Sequence, residues 1–475
     1  MAAPQQTGKT GPDPTGPNGC RGRSVTVMGL GLFGGGVAAA RYFARHGARV
    51  TVTDLKGADA LAPSIRALAG LPMTFHLGGH DAADFTTADV VAVSPAVPKT
   101  SPYLKMAEDA GAHITSEMNL FVGRCPAPVV GVTGSSGKST TTALLGEMLS
   151  RAAPVRVGGN IGKSLLDDLD AIRPDETVVL ELSSFQLEDV ARIGWSPHVA
   201  VVTNIAPNHL DRHGTMAAYI DAKKNILRFQ AADGVAVLNA DDGEVRSWQG
   251  EAPGRVVFYS REEALAEGVC AEGAEVVFRL GADEERVDLA GRVKLRGDHN
   301  VWNVVAAAAA ARLLGVTPGN IAEAVAAFDP LPHRLQPVGA CGGVLFVDDS
   351  KATTPEAAAL GLAAFTEPVI LIAGGYDKHS DPQVMVKAIR RRAKAVVLIG
   401  ATAEALARGV GAGGPRVERA DSLEEAVGRA AALAEAGDVV LLSPGHASWD
   451  MFDNYEQRGE VFRRAALDVG MKGEA

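Results

Sequence analysis

The sequence predicts an α/β protein of three domains, and three observations carry that prediction. From Ser24 onward, short β-branched runs alternate with Ala-rich stretches, the pattern of parallel sheets covered by helices. The pattern starts afresh twice, once behind Pro126 and Pro128 and again behind Pro330 and Pro332. The chain has 475 residues and is 47% hydrophobic, enough to bury more than one core. No sequence repeat recurs at a fixed period, so a solenoid is not expected.

The elements follow in order. Residues 1–23 are rich in Gly and Pro and contain no Val, Ile, Leu or Phe, so they are expected to form a disordered tail with no secretory signal. The first domain, 24–124, opens with a strand at Ser24–Met28, a Gly-rich turn, a helix ending near Gly47 and a strand at Ala48–Thr53, with a later strand at Asp89–Val93. The second, 125–330, has strands at Val129–Thr133, Val178–Leu182 and Val199–Thr203. Its helices lie at Ser139–Ser150, Met216–Phe229, around Val304–Leu314 and up to Phe328, and its stretch from Val235 to Arg296 is more purely β. The third, 331–475, has strands at Val344–Val347, Val369–Ala373, Ala395–Ile399 and Val439–Ser443, each followed by a helical stretch. Rossmann-like outer domains around a central phosphate-loop domain are thus expected.

Composition narrows the function. A net charge of −10 opposes non-specific binding to nucleic acid or to an anionic membrane. Cys20, Cys125, Cys270 and Cys341 lie far apart, which suggests neither a disulfide framework nor a thiolate zinc site and fits a reducing cytoplasm. The longest apolar run, Val304 to Ala311, is far below the roughly 18 residues of a membrane span. A soluble protein without membrane or nucleic-acid partners is expected.

Two Gly-rich turns point to phosphate chemistry. Gly29-Leu30-Gly31-Leu32-Phe33-Gly34 follows the first strand, opens a helix and precedes Asp54 at the end of the next strand, as in dinucleotide-binding folds. Close backbone approach and a helix N-terminus suit any phosphate group, that of a UDP-sugar included. The same glycines could serve only tight helix-strand packing. The second turn, Gly131-Val132-Thr133-Gly134-Ser135-Ser136-Gly137-Lys138-Ser139-Thr140, is more specific. Its amides can cradle phosphates, Lys138 can reach the β/γ-phosphates and Ser139 can ligate Mg²⁺. Val132 occupies the position of the first Gly in the strict pattern. A simple helix-capping turn would explain Ser135 but not a Lys beside Ser139.

Other residues gain meaning from their places. Glu181 ends a strand near the phosphate loop, where a carboxylate can hold a hard cation or serve as a hydrogen-bonded structural group. His209 follows the strand Val199–Thr203 at the ligand side of an open sheet, with Asp211, Arg212 and His213 close behind. Lys223 lies one helical turn after Tyr219 and shares its face. It could be an ordinary solvated lysine, a role that the adjoining Lys224 fits better. Arg334 and Lys351 sit where mobile cations could approach a phosphoryl group on domain closure, or be surface charges, and Lys378 directly follows a strand.

The phosphate loop and the blocks after it resemble the Mur ligase family. These blocks are Gly158-Gly159-Asn160-Ile161-Gly162, Glu181 to Leu187, Asn204 through Asn208-His209 to His213, Leu331-Pro332-His333-Arg334, Asp349-Ser350-Lys351-Ala352-Thr353, and Ser443-Pro444 through Ala447-Ser448. The resemblance covers nearly the whole chain and is strongest to the glutamate-adding members, since the D-N-P-R signature of the diaminopimelate- or lysine-adding ones is absent. It implies an ATP site at Gly131, Thr133 to Thr140, Arg334 and Asp349, and a UDP-substrate site at Leu32, Phe33, Asp54, Lys56, Asn160, Ser183 and Gln186. Glutamate is implied at Lys351, Thr353, Lys378, Ser448, Trp449 and Tyr455. Two Mg²⁺ ions are implied on Ser139, Glu181, His209 and Lys223, the last as a carbamate. Lys138, Glu181, His209, Lys223 and Lys351 are implied as catalytic. Gly445, His446 and Trp449 stand where smaller or aliphatic residues belong in the family pattern.

The implied reaction joins D-glutamate to UDP-N-acetylmuramoyl-L-alanine in peptidoglycan precursor synthesis, in a cytoplasmic monomer. ATP phosphorylates the alanyl carboxylate, and the glutamate amine displaces phosphate. L-glutamate is the nearest alternative. A nicotinamide-dependent dehydrogenase rests on the first turn alone, and a non-catalytic nucleotide switch would bind ATP without forming an amide.

Overall fold

The computed structural model describes residues 13–473 apart from Phe33 and His379. Its strands form three sheets, one for each expected α/β series. The first is wholly parallel, in the order Met73–Leu77, Arg49–Asp54, Ser24–Met28, Val90–Val93, His113–Thr115. The second runs Glu285–Asp288, Glu275–Arg279, Gly268–Glu272, Arg255–Ser260, Val235–Asn239, Val199–Val202, Val129–Thr133, Thr177–Glu181, Val155–Gly159, and only its first three strands pair antiparallel. The third runs Gln336–Cys341, Val344–Asp348, Val439–Leu442, Val369–Gly374, Ala393–Ile399, Arg416–Arg419, with one antiparallel edge.

Strand order reverses beside Ser24–Met28 and beside Val129–Thr133. Loops leaving the carboxyl ends of neighbouring strands diverge at such points and open a crevice. Both Gly-rich turns leave from these two strands. The strands around them are buried at every position, as in Val129–Thr133, Val199–Val202 and Val90–Val93, because helices cover both faces of a parallel sheet.

The chain divides into two compact units, Met1–Asp288 with Asn303–Ala324, and Leu289–Trp302 with Val325–Ala475. The first unit holds two sheets because their cores are continuous: one buried apolar cluster includes Val25 and Phe43 from the first sheet and its helix, and Val178, Ala200 and Trp248 from the second. Polar ties reinforce the join. Lys99 pairs with Asp189, and Asn119 Nδ2 donates to the Asp189 carbonyl at 3.0 Å. The Arg212 guanidinium donates to the carbonyls of Pro95, Ala96 and Val97 at 3.0–3.3 Å.

The expected disordered tail is corrected over residues 13–23; the rest of it, 1–12, lies outside the described residues. Cys20 is fully buried, Tyr42 Oη donates to the Thr15 carbonyl at 3.0 Å, and Arg124 binds the Asp13 carboxylate and Thr15 Oγ1. A segment without large aliphatic side chains is held here by turn hydrogen bonds and one buried thiol. Among the described residues no helix is long and apolar enough to cross a membrane.

Two helical glycines in the second unit give a test of packing. Gly428, in Leu423–Leu433, has open space where a Cβ would stand, so Gly428→Ala should gain about 0.5–1 kcal/mol from helix propensity. At Gly459, in Tyr455–Gly473, a Cβ would collide with His333 Nδ1 and lie 2.7 Å from Asp348 Oδ2. Thermal unfolding of the full chain should therefore show a raised Tm for Gly428→Ala and a lowered one for Gly459→Ala; equal shifts would contradict this packing.

Candidate active site

The phosphate loop leaves strand Val129–Thr133 and enters helix Lys138–Ser150. Gly134 and Gly137 have φ of 144° and 82°, which a residue with a Cβ rarely adopts. A Cβ at Gly134 would collide with Thr203 Oγ1, and one at Gly137 with Asn303 Oδ1. The loop is clamped from the neighbouring strand: Ser135 N donates to the Asn204 carbonyl at 2.8 Å, Ser136 N to Asn204 Oδ1 at 3.0 Å, and Thr203 Oγ1 to the Ser136 carbonyl at 2.6 Å. Lys138 Nζ arches over the loop and donates to the carbonyls of Gly134 and Ser135 at 2.9 and 3.0 Å. Ser139 and Thr140 are buried in the first helical turn.

Beside this loop, parallel pairing sets Glu181 opposite Val132 on one side and Gly159 on the other. Glu181 is 2% exposed. Its Oε1 accepts from Asn160 Nδ2 at 2.8 Å, while the buried Oε2 has no hydrogen-bond partner. A buried carboxylate oxygen in that state fits a hard divalent cation, which takes oxygen ligands.

Lys223, 1% exposed, reaches in from helix Met216–Arg228 and donates to the Gly134 carbonyl at 2.8 Å and Thr133 Oγ1 at 3.2 Å. Its ammonium lies over the Tyr219 ring, 4.9 Å from the centroid. Burial, with the Lys138 charge nearby, holds its pKa well below the usual lysine range, against the pull of Glu181. Tyr219 Oη meets Ser135 Oγ at 2.9 Å, and burial raises the phenol to about 12, so it stays protonated.

His209 has a left-handed backbone, φ 53°, where the chain turns into the short helix Leu210–His213. One face is open to solvent, yet the surrounding loops desolvate the imidazolium and the Lys138 charge adds to this, lowering its pKa to about 4. The ring is therefore neutral at pH 7, the form that ligates metals. His213 stacks on Phe185 at 5.0 Å and bonds Ser184 Oγ at 2.8 Å, which fixes the floor beside it.

In the first sheet, Asp54 is committed to shaping the glycine turn: Oδ2 accepts from Gly31 N at 3.0 Å and Oδ1 from Lys56 N at 2.9 Å. Leu32 and the Lys56 side chain are exposed beside it. Phe33 lies outside the described residues.

The second unit gathers its candidate residues around strands Val344–Asp348 and Val439–Leu442. Asp348 Oδ2 bonds His333 Nδ1 at 2.7 Å, and Lys351 Nζ lies over the Tyr455 ring, 5.2 Å from the centroid. Arg458, 1% exposed, holds the segment together, donating to Ser350 Oγ, the Ser350 carbonyl and the His446 carbonyl at 2.8–3.1 Å. Burial lowers even its pKa, to about 10. Lys378 lies over Trp449 at 4.7 Å, and Trp449 in turn leans on Tyr376. Asp349 accepts from Ser443 Oγ at 2.7 Å and Leu335 N at 3.2 Å.

Family models match three successive stretches: the Mur ligase MurD-like N-terminal domain at residues 23–116, the Mur ligase middle domain at 132–311, and the Mur ligase glutamate ligase domain at 333–446. The UDP-N-acetylmuramoylalanine--D-glutamate ligase of Roseiflexus sp. (strain RS-1) is 46% identical over 456 residues, spanning 93% of this chain and 98% of that one. The chain belongs to the Mur ligase family. A second relative of the same name, from Geobacter metallireducens, is 43% identical over 94% of this chain and 98% of its own. Two solved Mur ligases share the fold. MurC of Thermotoga maritima has a TM-score of 0.62 at 21% identity, covering 94% of this chain and 100% of that one. MurF of the same species, determined with ADP, has 0.57 at 19%, covering 96% and 97%.

In this Mur ligase, Lys138, Glu181, Lys223 and His209 come together around the phosphate loop, with Asn160 on Glu181. Ser183 and Gln186 are engaged with each other instead: they form the reciprocal cap of helix Ser184–Ala191, with Gln186 Oε1 accepting from Ser183 N at 3.0 Å. Thr353 donates its amide to the Lys351 carbonyl at 2.9 Å, and Ser448, 2% exposed, turns the chain by accepting from the amides of Met451 and Phe452. Arg334 acts on His299 and on Asp349 through its charge. Among the described residues no three His, Cys, Asp or Glu side chains form a metal cluster. Sequence reading singled out Asn204 only as the start of a family block and missed Asn303, Asp348 and Arg458, although Asn303 opens an Ala-rich apolar run, a polar interruption that could have marked it.

The buried Asp349 supplies a pH test. Burial raises its carboxyl from the ordinary range, about 4, to about 7. Because the folded-state pKa is the higher, the protonated form favours the fold; this stability is full below about pH 4 and lost as pH rises through 7. Asp349→Asn mimics the protonated form, so its Tm relative to the unsubstituted protein should climb by several degrees, on the order of 3–5 °C, between pH 5 and 8.5. A difference that does not change with pH would refute the assignment.

Proposed function

We propose that this chain is an ATP-dependent ligase that adds D-glutamate to UDP-N-acetylmuramoyl-L-alanine in peptidoglycan precursor synthesis. The observation that carries the reading is the grouping of Lys138, Glu181 and Lys223 around one phosphate loop, in a chain 46% identical to a D-glutamate ligase over 93% of its length. Residues 24–124 take the UDP-substrate, 125–330 take ATP, and 331–475 take glutamate. The enzyme works as a cytoplasmic monomer without nucleic acid or membrane.

A carboxylate does not condense with an amine unaided, because its oxygen is a poor leaving group. The alanyl carboxylate attacks the γ-phosphorus of ATP, forming the acyl phosphate and releasing ADP. The glutamate amine then attacks the acyl carbon and phosphate departs. The protein supplies position and neutralised charge: loop amides, Lys138 and Arg334 on the phosphates, Lys351 and Lys378 on the glutamate carboxylates, with Thr353 and Ser448 beside them. Bound Mg²⁺ would neutralise phosphate charge. Glu181 and His209 are suited to hold it, with Ser139 on the loop. The nicotinamide reading rests on the first turn alone and leaves the matched middle and glutamate ligase domains unexplained.

Phosphate release from ATP, measured with UDP-muramoyl-alanine and each glutamate enantiomer, tests the reading. D-glutamate should support turnover and L-glutamate should not. Lys138→Ala should lose activity by 100-fold or more while keeping its Tm. Lys351→Ala should raise the KM for glutamate far more than that for ATP; equal effects would assign Lys351 to the nucleotide.

Lys223 is the proposed carbamate. Its amine, buried beside Glu181 and the phosphate loop, attacks CO₂ and loses a proton, so a cation becomes an anionic oxygen ligand for a second Mg²⁺. Enzyme stripped of metal and CO₂ should regain activity with bicarbonate and Mg²⁺, and Lys223→Ala should be nearly inactive but partly rescued by a small carboxylate. Full activity in Lys223→Ala would exclude the carbamate.

A further inference from the structure

Glu117 has no part in the chemistry above, yet it lies between the glycine-turn helix and Ser164 of the second sheet's domain. It opens the helix Glu117–Val122, whose N-cap Ser116 accepts from Asn119 N. Its side chain reaches the first residue of the glycine-turn helix: a Cβ added at Gly35 would lie 4.0 Å from Glu117 Cγ. Its Oε1 accepts a hydrogen bond from Ser164 Oγ in the other domain. Ser164 caps the 3₁₀ turn Leu165–Ala171, accepting from Leu166 N at 3.2 Å. Between Ser164 and strand Val155–Gly159 lies the short loop that carries Asn160, the donor to Glu181 Oε1.

That loop is therefore tied at two points. At one end Asn160 grips Glu181, by its side chain and by Asn160 N to the Glu181 carbonyl at 2.9 Å. At the other, Ser164 grips a carboxyl beside the glycine turn. Burial pushes the Glu117 carboxyl above the usual range, and the Asp167 charge adds to this; Arg41, on the glycine-turn helix, is the cation that pairs with Asp167. A half-buried carboxyl that reaches across to Ser164 in the other domain is not explained by helix capping, which Ser116 already provides.

We propose that Glu117 is a positioning residue for the UDP-substrate, holding the 160–164 loop in register between the glycine turn and the Glu181 carboxylate. The proposal rests on the ligase reading above. Filling the glycine turn then sets Asn160, and through it Glu181, before ATP chemistry begins.

Steady-state kinetics and Tm of Glu117→Ala, Glu117→Gln, Ser164→Ala and the Glu117→Ala/Ser164→Ala double variant test it. Glu117→Ala should raise the KM for UDP-muramoyl-alanine about tenfold, the effect of losing one hydrogen bond to a charged group, with the KM for ATP changed less than threefold. Glu117→Gln keeps an acceptor for Ser164 Oγ and should stay within about threefold of the unsubstituted enzyme. The double variant should be no worse than Glu117→Ala, because both substitutions break one contact. If Glu117→Ala does not fold, Ser164→Ala should still show the selective rise in KM. Equal rises for both substrates, additive effects in the double variant, or a lowered Tm with unchanged KM would overturn the proposal. Lack of turnover in the unsubstituted enzyme would overturn the ligase reading itself, and this inference with it.

Discussion

The clamp of Thr203 and Asn204 on the phosphate loop is the constraint on which the site depends. A glycine-rich loop that offers its remaining amides to a ligand keeps its shape only if its other polar groups are bound elsewhere. Here the next strand supplies that hold: Asn204 accepts from the amides of Ser135 and Ser136, and Thr203 Oγ1 and Asn204 Nδ2 donate to the Ser136 carbonyl. Because the strands are parallel and in fixed register, the same arrangement brings Glu181 alongside and lets Lys223 close the loop from the helix beyond.

The electrostatics follow from this geometry. Lys138 and Lys223 approach the same carbonyl, that of Gly134, so two cations share one small volume. The negative charge that acts on Lys223 is that of Glu181. A polyphosphate or an added anionic group on Lys223 would relieve that crowding, which is why the site is poised for anions despite the acidic chain around it.

How much of this was legible in the sequence depends on burial. Central strands such as Val129–Thr133 and Val369–Gly374, covered on both faces, read as continuous apolar runs and were placed within a residue or two. The strands that hydropathy did not reveal are Met73–Leu77, His113–Thr115, Val155–Gly159, Gln336–Cys341 and Arg416–Arg419, and every one lies at a sheet edge. Edge strands are half-exposed and their residues mixed, so periodicity is weak. The phosphate loop was legible because backbone conformation demands glycine there. The supporting residues Asn303, Asp348 and Arg458 were not, since a single polar side chain has no pattern until the fold shows what it touches. Ser183 and Gln186 illustrate the converse: a polar pair in a recognised block whose hydrogen bonds in this structure are spent on a helix cap.

The continuous core of the first two sheets has a consequence for how the molecule can change over time. Two ligand sites that share one core share one unfolding event, so neither can be tuned by loosening its own scaffold alone. A lesion far from ATP, for instance at Cys20 or along the helix Gly35–Arg45, would be felt at the phosphate loop as a loss of the common fold. The second unit has its own sheet and its own buried clusters, and it is free to drift in sequence without that penalty. On the proposed assignment of glutamate to the second unit, variation in the amino acid is therefore cheaper for this architecture than variation in the sugar-nucleotide.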